Sequence, residues 1–263
     1  MSLKMLYSHP PVCFHVDVDK IPAMLPSGCG ISMLPRFHAT PPEAITEIER
    51  DSVFVDDYTF RIDRPVDWDK LLDHPWVRSA AASDDYVPYW AQLWPSARML
   101  AKVVVREKWD AYPKPLSVLE VGCGLGLAGI AALSRGLRVT FSDVDETALK
   151  FATDNARLNG FTDFDAVPID FRSPPSDVKY PVVIGSDLMY EERLVDPLVD
   201  LLEAVLAPGG ICLITDPDRT PARVFRWKLG EAGYDVKPEL VRAGEPGGER
   251  TKGTLYRIRR AIH

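Results

Sequence analysis

The sequence has no long hydrophobic run and no leader-like beginning. No apolar stretch approaches the roughly 20 residues that a helix needs to span a membrane. Residues 1–20 also lack the sustained apolar core of a secretory signal peptide. We therefore expect no membrane segment and a cytoplasmic protein.

Cysteine is scarce, with four residues in 263. Cys123 falls in a glycine-rich segment and Cys212 in an apolar, strand-like run, so neither indicates half of a framework disulfide. The other two cysteines lie near two histidines, and the candidate metal ligands are Cys13, His15, Cys29 and His38. Their spacing matches no established ligand pattern, so we expect no metal site.

Positive charge is also in deficit. The 31 Lys and Arg residues against 38 Asp and Glu residues give a formal net charge of −7. Because nucleic-acid phosphates favour a basic protein face, this balance argues against a nucleic-acid partner. The length accommodates one α/β domain with a modest extension.

The most informative segment spans residues 116–126 and has the sequence L-S-V-L-E-V-G-C-G-L-G. A strand-like apolar run ends in Gly122, Gly124 and Gly126, and a helix-like run follows. The third glycine of a dinucleotide fingerprint is missing, because Leu127 stands in its place, and no P-loop lysine is present. Residues without Cβ allow a ligand to approach the backbone closely, so the pattern predicts a cofactor-binding loop.

Two acidic residues accompany this loop. Glu120 lies two residues before the first glycine, and Asp143 ends the next strand-like run, about 20 residues further on. A carboxylate in the second position can accept hydrogen bonds from both ribose hydroxyls of an adenosine ligand. The ordered set of acid, glycines and acid is more specific than glycines alone.

The remaining pattern divides the chain into three parts. Residues 1–40 are rich in proline and predict an irregular arm. Residues 41–88 predict a β-hairpin with a turn at Asp56-Asp57, followed by one short helix within residues 67–82 and a loop. In residues 89–263, strands alternate with helices and a β pair closes the chain, which predicts an α/β fold with a mostly parallel sheet.

Three segments carry a resemblance to a known family. They are W-A-Q-L-W-P-S-A around Trp94, E-V-G-C-G-L-G from Glu120, and D-L-M-Y from Asp187 to Tyr190. From Tyr89 onward the chain resembles the class I S-adenosylmethionine-dependent methyltransferases. More narrowly, it is similar to the seven-strand protein-lysine methyltransferases of methyltransferase family 16. That family includes the lysine methyltransferase of the electron-transfer flavoprotein β-subunit and relatives described as nicotinamide-N-methyltransferase-like.

The resemblance implies a Rossmann-like, doubly wound, seven-stranded and mostly parallel sheet behind the N-terminal β-hairpin. It implies S-adenosylmethionine as cofactor and S-adenosylhomocysteine as product. Glu120 would hold the cofactor's amino group, directly or through the loop, and Asp143 would hold the ribose. Asp170 would accept from the adenine amino group. The other expected cofactor contacts are Trp94, Gly122, Cys123, Gly124, Phe171 and Ser186.

The resemblance also implies that the D-L-M-Y motif lies at the side of the site that binds the methyl acceptor. Asp187 would orient an acceptor amine, and Tyr190 would form the channel wall or a second contact. Amino-adenine methyltransferases have a proline-rich motif of the D/N-P-P-Y/F type here, so a nucleobase amine is disfavoured as substrate. A further departure is Asp170-Phe171, where the family often has tryptophan after the acid.

Structural roles remain open for several of these residues. Asp187 would serve equally as a turn cap, Tyr190 as a packed surface aromatic and Asp170 as a loop cap. Asp216 and Arg219, in the sequence D-P-D-R, are interpreted as organising the turn after the fifth strand.

Four functions therefore remain open. The leading hypothesis is methylation of a lysine side chain in a protein. The alternatives are a small-molecule amine or heteroaromatic N-methyltransferase and a catalytically silent binding module with the same fold. The fourth is a reductase, which would bind a nicotinamide dinucleotide and not S-adenosylmethionine. The oligomeric state cannot be inferred from the sequence.

Overall fold

The computed structural model describes residues 37–112, 114–244 and 250–260, so the predicted arm lies outside the described residues except for its last four. The strands in these ranges are β1 (Ile48–Val55), β2 (Tyr58–Pro65), β3 (Ser117–Val121), β4 (Arg138–Asp143), β5 (Phe164–Pro168), β6 (Tyr180–Ser186), β7 (Leu206–Asp216), β8 (Tyr234–Ala243) and β9 (Thr251–Arg260). The helices are α1 (Trp68–Asp73), α2 (Pro75–Asp84), α3 (Pro95–Arg106), α4 (Leu127–Ser134), α5 (Glu146–Leu158), α6 (Val195–Val205) and α7 (Pro221–Glu231).

Strands β3 to β9 form one seven-stranded sheet in the order β5-β4-β3-β6-β7-β9-β8. The first five are parallel, and β9 runs antiparallel to both β7 and β8. The chain steps outward from β3 to β5, then crosses back to β6 on the other side of β3. Ligands bind at such a switch point, at the carboxyl ends of the strands. The predicted fold is confirmed.

The central strand β3 is buried on both faces, as expected for a parallel strand covered by helices. Val118 packs into the core that includes α3, α4 and α5, and Leu119 into the core that includes α6 and α7. Helix α4 follows the glycine loop and is buried from Leu127 to Leu133. The glycine loop is therefore held between a buried strand and a buried helix.

The predicted hairpin is confirmed. Strands β1 and β2 pair antiparallel around the Asp56-Asp57 turn, where Asp56 has a φ of 51°. Asn155 of α5 and Asn159, the residue that caps the end of this helix, attach the hairpin to the main domain. Asn155 and Asn159 each exchange two hydrogen bonds with the backbone of β2, at Asp63 and Arg61. These side chains act as a partner for the free edge of the strand.

The prediction of one helix and a loop within residues 67–82 was wrong, because two helices are present. Helix α1 ends before His74, which adopts an extended conformation because the next residue is Pro75. Pro75 then begins α2, and the His74 ring nitrogen accepts a hydrogen bond from the Trp76 N–H at 3.3 Å. Proline is well suited to the first helical position.

In the described ranges, no helix has the length and hydrophobicity to span a membrane. The cytoplasmic location stays a prediction.

Candidate active site

The carboxyl ends of β3, β4 and β6 open into one pocket. It is walled by the glycine loop, by the loops after β4, β5, β6 and β7, and by the aromatic segment that precedes α3. All of the predicted site residues except Glu120 line this pocket: Trp94, Gly122, Cys123, Gly124, Asp143, Asp170, Phe171, Ser186, Asp187 and Tyr190. The tertiary structure therefore brings together residues from five separate segments.

The glycine loop follows a backbone path that favours glycine. Gly122, Gly124 and Gly126 have φ values of 60°, 50° and 82°, in the left-handed region. A Cβ on Gly122 would lie 2.6 Å from Cδ2 of Leu188, so the Leu188 side chain would have to shift to admit one. Cys123, between Gly122 and Gly124, is buried. Burial raises the pKa of its thiol and keeps it protonated. The loop exposes backbone to the pocket and suits close approach of a ligand.

Asp143 is fixed beside this loop at the end of β4. One carboxylate oxygen accepts the Gly124 N–H at 2.9 Å, and the other accepts the Asp145 N–H at 3.1 Å. Burial raises its pKa to about 6. Because an ionised carboxylate has about four acceptor positions, capacity remains for two ligand hydroxyls.

Glu120 lies behind the loop, facing the first turn of α4. Its Oε2 accepts the Gly129 N–H at 2.9 Å, and its carboxyl group caps a helix whose N-cap residue, Gly126, has no side chain. Burial raises its pKa to about 8. Of the two roles predicted for Glu120, this position favours action through the loop over direct contact with a ligand.

Aromatic side chains form another wall of the pocket. The indole N–H of Trp94 donates to the Tyr89 carbonyl at 2.7 Å, and the Trp94 ring meets Trp68 edge to face at 6.2 Å. The ring of Tyr190 lies 4.8 Å from that of Tyr89, and Tyr190 is 37% exposed. These contacts fix Trp94 inside the pocket and leave Tyr190 at its mouth.

Asp170 and Phe171 follow β5. The Asp170 carboxylate accepts hydrogen bonds from the backbone N–H and the Nε of Arg172, each at 2.9 Å. Asp170 therefore caps its own loop while it lines the pocket. Phe171 lies close to the glycine loop, because a Cβ built on Gly122 would be 3.9 Å from its ring.

Ser186 and Asp187 occupy the end of β6. Ser186 pairs with Thr215 of β7, and the Asp187 N–H donates to the Thr215 carbonyl at 2.9 Å. Asp187 has a φ of 59°, and its Oδ1 lies 2.9 Å from Nη2 of Arg219. Burial raises the Asp187 pKa, while the Arg219 charge lowers it.

Sequence analysis missed several residues of this pocket. Arg219 was interpreted only as part of a turn, although its side chain reaches the site. Asp145 is buried beside Asp143 and accepts hydrogen bonds from the Thr40 and Tyr86 hydroxyls. His38 pairs with the loop after β4, and its ring lies 4.3 Å from that of Tyr86. The second acid of the S-D-V-D sequence was the available signal for Asp145.

Charge in the pocket favours a cationic ligand. The carboxylates of the lining are Asp85, Asp143, Asp145, Asp170, Asp187 and Glu191. The guanidinium groups are fewer, namely Arg172, Arg193 and Arg219. No metal-binding arrangement of three or more His, Cys, Asp or Glu residues occurs within residues 37–112, 114–244 and 250–260.

Known proteins of similar sequence include protein-lysine methyltransferases. The electron transfer flavoprotein beta subunit lysine methyltransferase of Danio rerio is 31% identical over 134 residues, which are 50% of this chain and 51% of that protein. The protein-lysine N-methyltransferase rrg1 of Schizosaccharomyces pombe is 26% identical, over 64% of this chain and 59% of that protein. The chain thus spans about half the length of these curated relatives.

A solved structure shares the fold. The ribosomal protein L11 methylase of Lactobacillus delbrueckii subsp. bulgaricus superposes with a TM-score of 0.50 and 25% sequence identity, over 64% of this chain and 79% of that one. A family model described as lysine methyltransferase matches residues 88–224, a range that contains the aromatic wall, the glycine loop, Asp143 and the D-L-M-Y motif. The match covers more than half of the sequence, and the chain belongs to the lysine methyltransferase family.

Proposed function

We propose that this protein is an S-adenosylmethionine-dependent N-methyltransferase that methylates a lysine side chain of a protein. The observation that carries the proposal is that the glycine loop and the D-L-M-Y motif, far apart in sequence, open into one acidic pocket. The cofactor loop and the acceptor motif are then close enough to serve one reaction. Membership in the lysine methyltransferase family supports the same activity.

The residues present fit the cofactor. Gly122 and Gly124 leave the backbone open to the methionine and ribose parts, and Asp143 holds the ribose hydroxyls with its remaining acceptor capacity. Asp170 accepts from the adenine amino group, and Phe171 packs on the ring. When bound, S-adenosylmethionine supplies a methyl group on cationic sulfur, and the C–S bonding electrons return to that sulfur as the acceptor nitrogen takes the methyl group.

The acceptor amine must be neutral before it can attack. With an ordinary lysine pKa near 10.4, roughly one side chain in 2,500 is neutral at pH 7. The carboxylates of the pocket attract the amine, whereas the cationic sulfur of the bound cofactor and the Arg219 guanidinium favour its neutral form. Asp187 orients this amine through a hydrogen bond, and Tyr190 lines its approach. The protein therefore acts mainly by positioning the two reactants.

The exposure of Tyr190 supports a side chain as acceptor over an enclosed small molecule. This residue is 37% exposed at the pocket mouth, where a protein segment can approach from solvent. A small-molecule enzyme usually closes over its substrate. The experiment below distinguishes a protein acceptor from a small-molecule acceptor.

The experiment begins with calorimetric titration of S-adenosylmethionine and S-adenosylhomocysteine into the purified protein. Micromolar binding is expected, whereas no binding at millimolar ligand would reject the cofactor assignment. The protein is then incubated with tritiated donor and a cell lysate separated by size. We expect label in the protein fraction, released as methyl-lysine by acid hydrolysis. Label confined to small molecules would support the alternative.

Asp187→Asn tests the acceptor side of the site. We expect transfer to fall by about 100-fold, with binding of S-adenosylhomocysteine nearly unchanged. The matched control is Asp196→Asn, on the exposed face of α6. Full activity in Asp187→Asn would remove this residue from the mechanism.

A further inference from the structure

The loop after β7 is built to hold Arg219 in one place. The Arg219 N–H donates to Oδ1 of Asp216 at 2.7 Å, and its carbonyl accepts the Ala222 N–H at 3.1 Å. Asp218, with a φ of 66°, accepts the Thr254 hydroxyl at 2.6 Å, which ties the loop to β9. The backbone of Arg219 thus forms the turn, and its guanidinium is not needed for that task.

The guanidinium instead extends into the pocket towards Asp187. Nη2 of Arg219 lies 2.9 Å from Oδ1 of Asp187, whose side chain is only 9% exposed. The contact has the distance of an ion pair and engages one of the two carboxylate oxygens of Asp187. Because a carboxylate has about four acceptor positions, Asp187 keeps capacity for a hydrogen bond from a ligand.

Few other charges act on Asp187. Asp216 ends β7, and the negative charges of Asp216 and Asp187 repel each other. On the chain segment of Asp187 itself, Glu191 pairs with Arg193, which also binds Asp85 across the pocket mouth. Within the part of the chain that the structure describes, Arg219 is the cation in contact with Asp187.

We propose that Arg219 is a positioning residue for methyl transfer, which holds the Asp187 carboxylate at the acceptor end of the pocket; this rests on the proposed function. The guanidinium charge favours the anionic form of Asp187, the form that accepts a hydrogen bond from the amine. The same charge disfavours the ammonium form of an amine bound there, and so favours the neutral nucleophile.

The test compares Arg219→Gln, which removes the charge, with Arg219→Lys, which keeps it. Arg223→Gln is the matched control, because Arg223 is exposed on α7. We measure binding of S-adenosylhomocysteine and the initial rate of tritium transfer to lysine of the lysate protein fraction from pH 6 to 9. In Arg219→Gln we expect unchanged binding and an acidic limb of the rate profile displaced upward by about one pH unit. In Arg219→Lys, we expect the rate to fall at the same acidic pH as in the wild type, but the maximal rate to be lower.

A second measurement does not depend on turnover. With aspartate labelled by ¹³C at its carboxyl carbon, the Asp187 signal is identified by its absence in Asp187→Asn and followed against pH. We expect the pKa of Asp187 to be higher in Arg219→Gln than in the wild type, with and without bound S-adenosylhomocysteine. An unchanged titration would overturn the inference.

The outcomes separate this inference from the proposed function. If the wild type labels no protein lysine, the proposed function fails. If the wild type is active and Arg219→Gln has the pH profile of Arg223→Gln, only the role of Arg219 fails. Should Arg219→Gln not fold, Arg219→Lys decides, because a wild-type rate in that variant contradicts a positioning role.

Discussion

At the scale of single residues, two buried acids beside the glycine loop have different positions. Asp143 lines the pocket and binds the loop backbone at Gly124, whereas Glu120 lies behind the loop and binds the helix backbone at Gly129. In the sequence, both are acids near the end of a strand-like run. Their different surroundings predict different results when each is changed.

Asp143→Asn is expected to weaken binding of S-adenosylhomocysteine by at least about 10-fold. The change removes a charged acceptor for the ribose hydroxyls and turns an amide group towards a backbone N–H, and each charged hydrogen bond contributes roughly 1.5–3 kcal/mol. Calorimetric titration measures the effect, with Asp165→Asn as control because Asp165 is exposed on β5. An unchanged affinity would reject the ribose assignment.

At the scale of elements, the close packing around Gly129 fixes the position of α4. A Cβ on Gly129 would lie 2.4 Å from both Glu120 Oε2 and the buried ring of Phe141. Gly230, in the last turn of α7, would meet no atom within 4 Å. The two helical glycines form a natural pair for comparison.

Gly129→Ala is expected to lower the free energy of unfolding by about 1–3 kcal/mol, because the packed interior must shift to admit a methyl group. Gly230→Ala is expected to raise it by about 0.5–1 kcal/mol, because alanine favours the helix. Urea unfolding of both variants measures the difference. Equal stabilities would mean that Glu120 does not pack against α4 as described.

Helix α5 links the hairpin to the glycine loop through one side chain. Besides its two bonds to Asp63, the Asn155 amide donates to the Leu125 carbonyl at 3.0 Å. Asn155 is buried, whereas Asn159 is part-exposed and contacts only the hairpin and its own helix. The hairpin therefore supports the cofactor loop as well as covering a helix.

Asn155→Ala is expected to cost about 1–3 kcal/mol of unfolding free energy, because buried backbone groups lose their partners. It should also weaken binding of S-adenosylhomocysteine, since Leu125 lies in the loop. In Asn159→Ala, water replaces the lost bonds, and we expect a smaller loss of stability and unchanged binding. Thermal unfolding and calorimetry measure the two effects, and unaltered cofactor affinity in Asn155→Ala would disprove the link.

At the scale of the whole molecule, buried acids make stability depend on pH. Burial raises the pKa of Asp143 and Asp216 to about 6 and that of Glu120 to about 8. Between its ordinary value near 4.5 and about 8, Glu120 is protonated in the folded state and ionised in the unfolded state. Unfolding then releases a proton, so the free energy of unfolding falls as pH rises through this window.

Glu120→Gln removes this dependence while its amide oxygen can still accept the Gly129 N–H. Above pH 6 the two aspartates contribute little further change, and Glu120 contributes at most about 1.4 kcal/mol per pH unit. We expect the decline in stability from pH 6 to pH 8 to be smaller in the variant, as measured by urea unfolding without ligand. Parallel declines in the two proteins would show that Glu120 is already ionised at pH 6.

The sequence by itself determined the α/β alternation, the hairpin, the glycine loop and the family, because each depends on short-range patterns. Strand runs of apolar residues, the G-x-G-x-G spacing and the D-L-M-Y motif are all local. Pro75 is a local signal for the break between α1 and α2.

Only the tertiary structure decided which side chains meet. The direction of Glu120 towards α4, the contact of Arg219 with Asp187 and the packing of His38 on Tyr86 join segments that lie apart in the chain. A local pattern carries no information on such pairs, because they depend on strand order and on the direction of each side chain from the sheet. The chemistry of the pocket is therefore a property of the fold, assembled from residues whose types were visible beforehand.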